Sequence, residues 1–116
     1  MMTRDEMKAR TKRFGHRCLD VVEALPKSVV SAILGKQLGR CATGVGANYR
    51  AACRARSTAE FVAKLGVVEE EADESEFWLE MITERALLPN RKLDPLRKEA
   101  SEITAMMVAS KITARK

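Results

Sequence analysis

Aromatic residues are scarce in this chain of 116 residues: three Phe, one Tyr and one Trp make up 4% of it. Sheets draw heavily on aromatic and β-branched side chains, and only three Pro and six Gly are available for the many tight turns of an all-β domain. An all-β fold is therefore excluded. A single histidine, His16, and three cysteines, Cys18, Cys41 and Cys53, with no CxxC spacing exclude the usual zinc sites. The cysteines read instead as small buried apolar residues in a reducing compartment. No run of about 18 apolar residues occurs, and the first residues, MMTRDEMKARTKRFG, include acidic groups and no apolar core of a signal peptide. Neither a membrane span nor a secretory leader is expected, and the cytoplasm is the expected location.

What is present is the vocabulary of helices. Apolar residues reach 46%, drawn mostly from Ala, Leu, Val and Met. The length suits one domain with one core, spanning 1–116. Apolar residues recur at steps of three and four in four segments. Phe14, Cys18, Val21, Val22 and Leu25 mark the first, and Leu34, Leu38, Cys41, Val45, Asn48 and Ala52 the second. Phe61, Leu65, Val68, Ala72, Ser75, Leu79 and Ile82 mark the third, and Leu96, Ala100, Ile103, Met107 and Ser110 the fourth. Pro26 closes the first segment. Ser28 can cap the second helix, Ser57 or Thr58 the third, and Asp94 followed by Pro95 the fourth. The expected fold is all-α: an antiparallel up-down-up-down four-helix bundle with helices over about 5–25, 28–55, 58–86 and 95–114. The Pro89–Lys92 stretch reads as a loop.

The stretch RCATGVGANYRAACRARS, residues 40–57, poses a choice between a phosphate-binding glycine loop and a closely packed helix. A phosphate loop needs a strand before it and a third glycine or a lysine after it. Here Gly44 and Gly46 follow a helical pattern, the third glycine position is Tyr49, and no such lysine follows. The helix reading stands. Gly35, Gly39, Ala42, Thr43, Gly44, Gly46 and Ala47 leave little bulk on several sides, which lets neighbouring backbones approach. Each interior Gly costs about 0.5–1 kcal/mol against Ala, so such contacts must compensate. Small residues on more than one side also suggest a second packing partner, such as another subunit.

If the second and third helices fold back about Arg56 and Ser57, residues whose numbers sum to about 114 lie level. Arg40 then meets Glu74, and Thr43 meets Glu71. A partly buried Arg40–Glu74 ion pair is expected, setting register more than adding net stability. With Asn48 on the seam, where a polar residue can specify pairing, Arg40, Thr43, Asn48, Glu71 and Glu74 form the expected structural polar core.

The segment CATGVGANYRAACRARSTAEFVAKLGVVEEEADESEFWLE closely resembles the bacterial four-helix bundle proteins described as products of intervening sequences in large-subunit (23S) ribosomal RNA genes. The resemblance runs from about Arg10 to Arg115. The matching positions are Arg40, Thr43, Gly46, Asn48, Phe61, Lys64, Leu65, Glu71, Ala72, Glu74, Trp78 and Leu79. It implies a bundle that assembles as a homopentameric ring and has no known enzymatic activity. A related group, the accessory proteins of diversity-generating retroelements, forms similar basic pentamers that bind nucleic acid and a reverse transcriptase. A reverse transcriptase or another protein is thus a partner by analogy with the family.

The net charge of +5 is unevenly spread. Residues 36–64 hold Lys36, Arg40, Arg50, Arg54, Arg56 and Lys64 against Glu60 alone, whereas residues 65–84 hold eight acidic groups and no base. Arg50, Arg54, Arg56 and Lys64, with Lys111, Arg115 and Lys116 returning on the fourth helix, are expected at one end of the bundle. Repeated around a ring, Arg50, Arg54, Arg56, Lys64, Lys111 and Arg115 would form a basic crown that attracts phosphates without reading bases. Structured RNA or DNA fits better than single strands, because few aromatics are free to stack on bases. Alternatively these bases pair with the acidic third helix of a neighbouring subunit, giving a protein-assembly scaffold with no direct nucleic-acid ligand. No enzyme is expected, nor any cofactor or metal. The acidic run EEEADESE lacks the Glu-x-x-His partners of di-metal bundles, and His16 and Cys18 point to different helix faces.

Overall fold

The computed structural model describes residues 2–116 and contains four helices: α1 (Arg4–Ala24), α2 (Val29–Ala52), α3 (Thr58–Glu84) and α4 (Asn90–Arg115). They pack into an elongated body of 46 × 22 × 19 Å.

Local chemistry sets most of the ends. Thr3 starts α1 with a capping box: its hydroxyl accepts the Glu6 N–H at 3.1 Å, and the Glu6 carboxylate accepts the Thr3 N–H at 2.9 Å. Ser28 accepts from the Ser31 N–H at 3.0 Å, and Ser57 from the Glu60 N–H at 3.1 Å. Helix α3 ends in a Schellman-type turn, in which the Leu87 N–H reaches the Ile82 carbonyl at 3.2 Å and the Ala86 N–H reaches the Thr83 carbonyl at 3.0 Å. Ala86 takes φ 54° there, a position that favours glycine.

Helix α4 begins at Asn90 rather than at Asp94–Pro95, so Asp94 is not its N-cap, and Arg91 and Lys92 are helical rather than looped. Pro95 lies inside the helix, where it removes one hydrogen bond, to the Arg91 carbonyl. The added turn buries Leu93 completely, one step before Leu96 on the core stripe. Burying a leucine contributes about 1.5–3 kcal/mol, comparable to the proline penalty.

Core positions follow the apolar periodicity. Phe14, Leu38, Leu65, Leu79, Ile82, Ile103 and Met107 are all fully buried. Helix α2 packs against α1 and α3, and α3 against α4; α1 meets α4 least of these pairs. Gly35 faces Val22 and Leu25, Gly39 faces Leu19, and Gly46 faces Thr11 and Lys12. Between α2 and α3, Cys41 meets Ser75 and Gly44 meets Glu71.

The small residues of α2 serve close approach at one position above all. A Cβ on Gly46 would stand 3.2 Å from backbone atoms of Thr11 and Lys12, so α1 rests directly on the α2 backbone there. The sparse α1–α4 edge is joined by Arg10, whose guanidinium makes a bidentate pair with Glu99 at 2.6 and 2.7 Å and reaches Glu102 at 3.1 Å.

Candidate nucleic-acid interface

One end of the body gathers the start of α1, the α2–α3 turn and the end of α4. A shallow groove of about 380 Å³ there is lined by Arg4, Arg56, Ser57, Thr58, Phe61 and Ala114, among others. The Arg4 guanidinium lies over the Phe61 ring, 4.5 Å from its centroid. This cation–π contact holds a charged group at the rim while leaving its N–H edge open. Arg54, Arg56 and Arg115 are exposed around this end. The nearby acidic groups are engaged locally: Asp5 lies 3.3 Å from Lys8, and Glu6 is held below the usual carboxylate range by its cap hydrogen bonds with the Thr3 backbone and side chain.

The six basic residues expected to form a crown do not all lie open on one surface. Lys111 lies 2.6 Å from Glu69 on α3, so its charge is matched within the chain. Lys64 is half-buried. Arg50 is exposed but lines a different groove, between α1 and α2, with Lys8, Lys12 and His16. Arg4 joins the group in their place. Its position as the first helical residue of α1, at the end where α4 finishes, was the available signal.

The expected polar core lies on or near the surface of the single chain. Arg40, Thr43 and Glu74 are exposed, and Asn48 and Glu71 are half-buried. No Arg40–Glu74 ion pair forms; the Arg40 guanidinium donates to the Gln37 side-chain oxygen at 3.1 Å. The Thr43 hydroxyl donates to the Gly39 carbonyl at 2.7 Å, and the Asn48 amide to the Gly44 carbonyl at 2.8 Å. Both side chains thus bond back to α2 rather than across the seam. Ser and Thr hydroxyls in helices readily find such i−4 carbonyls, and Asn48 does the same here.

Glu71 is the group that crosses. Its carboxylate occupies the space left by Gly44, where a Cβ would stand 3.1 Å from Oε2. That oxygen is buried without a hydrogen-bond partner, and burial, followed by the nearby Glu74 charge, raises the Glu71 pKa. Cys41, Glu71 and Glu74 bring one sulfur and two carboxylate donors within 4.8 Å of one another. No histidine-based motif points to this set, and its thiol comes from another helix than its carboxylates. Cys41 is already engaged, donating to the Leu38 carbonyl at 3.6 Å and accepting from the Ser75 hydroxyl at 3.3 Å.

Residues 5–109 match the family described as 23S rRNA-intervening sequence protein. The chain belongs to that family. Among solved structures, the chain is similar to a crystal structure of a protein of unknown function from the S23 ribosomal protein family of Bacteroides thetaiotaomicron VPI-5482. The two are 27% identical over 90% of this chain and 96% of the other, with a TM-score of 0.81. No curated protein matches. Among the described residues, no helix of this intervening-sequence protein is long and apolar enough to cross a membrane.

Proposed function

We propose that this 23S rRNA-intervening sequence protein is a non-enzymatic, cytoplasmic, antiparallel bundle that assembles as a homopentameric ring and binds structured RNA or duplex DNA through its basic end. The observation that carries the reading is that Arg4 and Arg56 line the end groove, with the exposed Arg54 and Arg115 next in sequence to its lining residues Ala55 and Ala114. Four guanidiniums from three parts of the chain, with hydroxyls of Ser57 and Thr58 among them, suit phosphate contacts that are indifferent to base identity. Ring symmetry would multiply a surface that is modest in one subunit. The opposed direction of contacts between successive helices supports the up-down-up-down topology.

The test is fluorescence polarisation of a labelled RNA hairpin across a salt series. Binding by this end predicts an affinity whose logarithm falls linearly with the logarithm of salt concentration, more steeply the more phosphates are contacted. Combining Arg54→Glu, Arg56→Glu and Arg115→Glu should abolish binding, and unchanged binding would refute the assignment. The second reading, an assembly scaffold without a nucleic-acid ligand, draws on the acidic outward face of α3, where Phe77 is 51% exposed. Under that reading the wild-type chain leaves the RNA unbound even at low salt.

A further inference from the structure

We infer that the groove between α1 and α2 receives the outward face of α3 from a second copy of this chain. The inference rests on the self-assembly part of the reading above and names the surfaces that carry it.

The groove is about 430 Å³, and no acidic residue lines it. Its floor is low because Gly15 and Gly46 let the two helices approach backbone to backbone. Ala47 and the exposed Leu19 give it an apolar lining, and Lys8, Lys12 and Arg50 stand at its edges. Among the described residues, nothing fills this trough.

The opposite chemistry lies on α3. Val67, Glu70, Asp73 and Phe77 are exposed at steps of three and four, which places them on one helix face. Helix α3 packs along α2 and α4 and meets α1 at its first turns, where Arg4 lies over Phe61, away from this exposed face. Phe77 and Val67 are apolar knobs, 51% and 38% exposed, flanked by carboxylates. An apolar trough with basic edges and an apolar ridge with acidic edges are complementary in both charge and hydrophobicity.

The two surfaces are different patches, so the contact is head-to-tail rather than two-fold, the arrangement that closes into a ring when the rotation permits. It also divides the basic residues. Lys12 and Arg50 are neutralised in the contact, Lys8 already lying 3.3 Å from Asp5, whereas Arg54, Arg56 and Arg115 stay free at the bundle end.

The experiment is light scattering on the full chain and on two exposed-surface variants, with helix content checked by circular dichroism. One variant combines Lys12→Glu with Arg50→Glu, and the other combines Glu70→Lys with Asp73→Lys. Each alone should fall from the assembled mass to the 12.9 kDa of a single chain. Mixing the two should restore association above 12.9 kDa, because every contact between unlike variants joins either two native surfaces or two surfaces with exchanged charges; a five-membered ring cannot alternate the two throughout, so the mixture forms open or even-numbered assemblies rather than the wild-type ring. Variants that keep the wild-type assembled mass, or dissociated variants that do not reassociate on mixing, would overturn the inference while leaving self-assembly standing. A wild-type chain that stays at 12.9 kDa at every concentration would remove self-assembly itself.

Discussion

Replacing glycine by alanine at two positions separates helix propensity from packing. Gly46 and Gly66 both lie inside helices, so either substitution gains about 1 kcal/mol of propensity. Their surroundings differ. A Cβ at Gly66 meets nothing within 4 Å, whereas one at Gly46 stands 3.2 Å from the Lys12 Cα, the Lys12 nitrogen and the Thr11 carbonyl carbon. Backbone cannot rotate away as a side-chain tip can, so α1 would have to shift by a few tenths of an ångström along its contact with α2. Overpacking of this kind costs about 1–3 kcal/mol. Gly66→Ala should therefore raise the melting temperature by about 4 °C, at roughly 4 °C per kcal/mol for a domain of this size. Gly46→Ala should melt about 4–12 °C below Gly66→Ala, the difference being the overpacking alone. Both are measured by circular dichroism at one protomer concentration, because assembly makes the midpoint concentration-dependent. A Gly46→Ala protein as stable as Gly66→Ala would refute the claim that direct backbone contact requires glycine there.

Ala86→Gly should stabilise the chain by about 1 kcal/mol in urea unfolding, because the left-handed φ at the end of α3 costs an L-residue more than glycine; a loss of stability would show that the Ala86 methyl matters more than its backbone. Arg10→Met should lower stability at pH 7 by about 1.5–3 kcal/mol, since it strips the charged hydrogen bonds from Glu99. The Arg10 hydrogen bonds are the main cause holding Glu99 below its ordinary 4.5. That stabilisation is complete above pH 4.5 and fades as pH falls through the lowered folded value, so the wild-type advantage in urea midpoint should shrink in acid; a constant gap would refute the pairing. Iodoacetamide at pH 8 should label native protein at half-buried Cys53 and spare Cys18, whose thiol burial pushes up to about 12. Peptide mass spectrometry showing equal labelling of the two would contradict the buried position of Cys18.

The core was legible because it repeats. Leu34, Leu38, Cys41 and Val45 recur every three or four residues, with Ala52 seven further on, and all are buried on α2. Hydrophobic burial acts on each helix separately, so its period is written in each segment alone. The start of α4 was not legible in this way. Asp94–Pro95 is a strong local start signal, but it was outweighed by Leu93, whose burial depends on α3 lying beside it. Local capping chemistry and tertiary burial disagreed, and burial set the boundary.

The polar residues were less legible, for a related reason. A charge in a sequence has a sign but no partner. Arg40 was close to the right level to meet α3, yet an exposed guanidinium gains little from an ion pair in water and settles on Gln37, three residues away on its own helix. Lys111 looked free because its neighbours in sequence are uncharged, but Glu69 waits across the α3–α4 seam. Arg10 stands in sequence among the bases Lys8, Lys12 and Arg13, yet its side chain reaches Glu99 and Glu102, closing the weakest edge of the bundle. Burial separates these cases. Where a cation is flanked by packed helices, as Arg10 is at 19% side-chain exposure, desolvation makes a matched carboxylate worth fixing. Where it is open to water, as at Arg54, Arg56 and Arg115, its charge remains available to an outside phosphate.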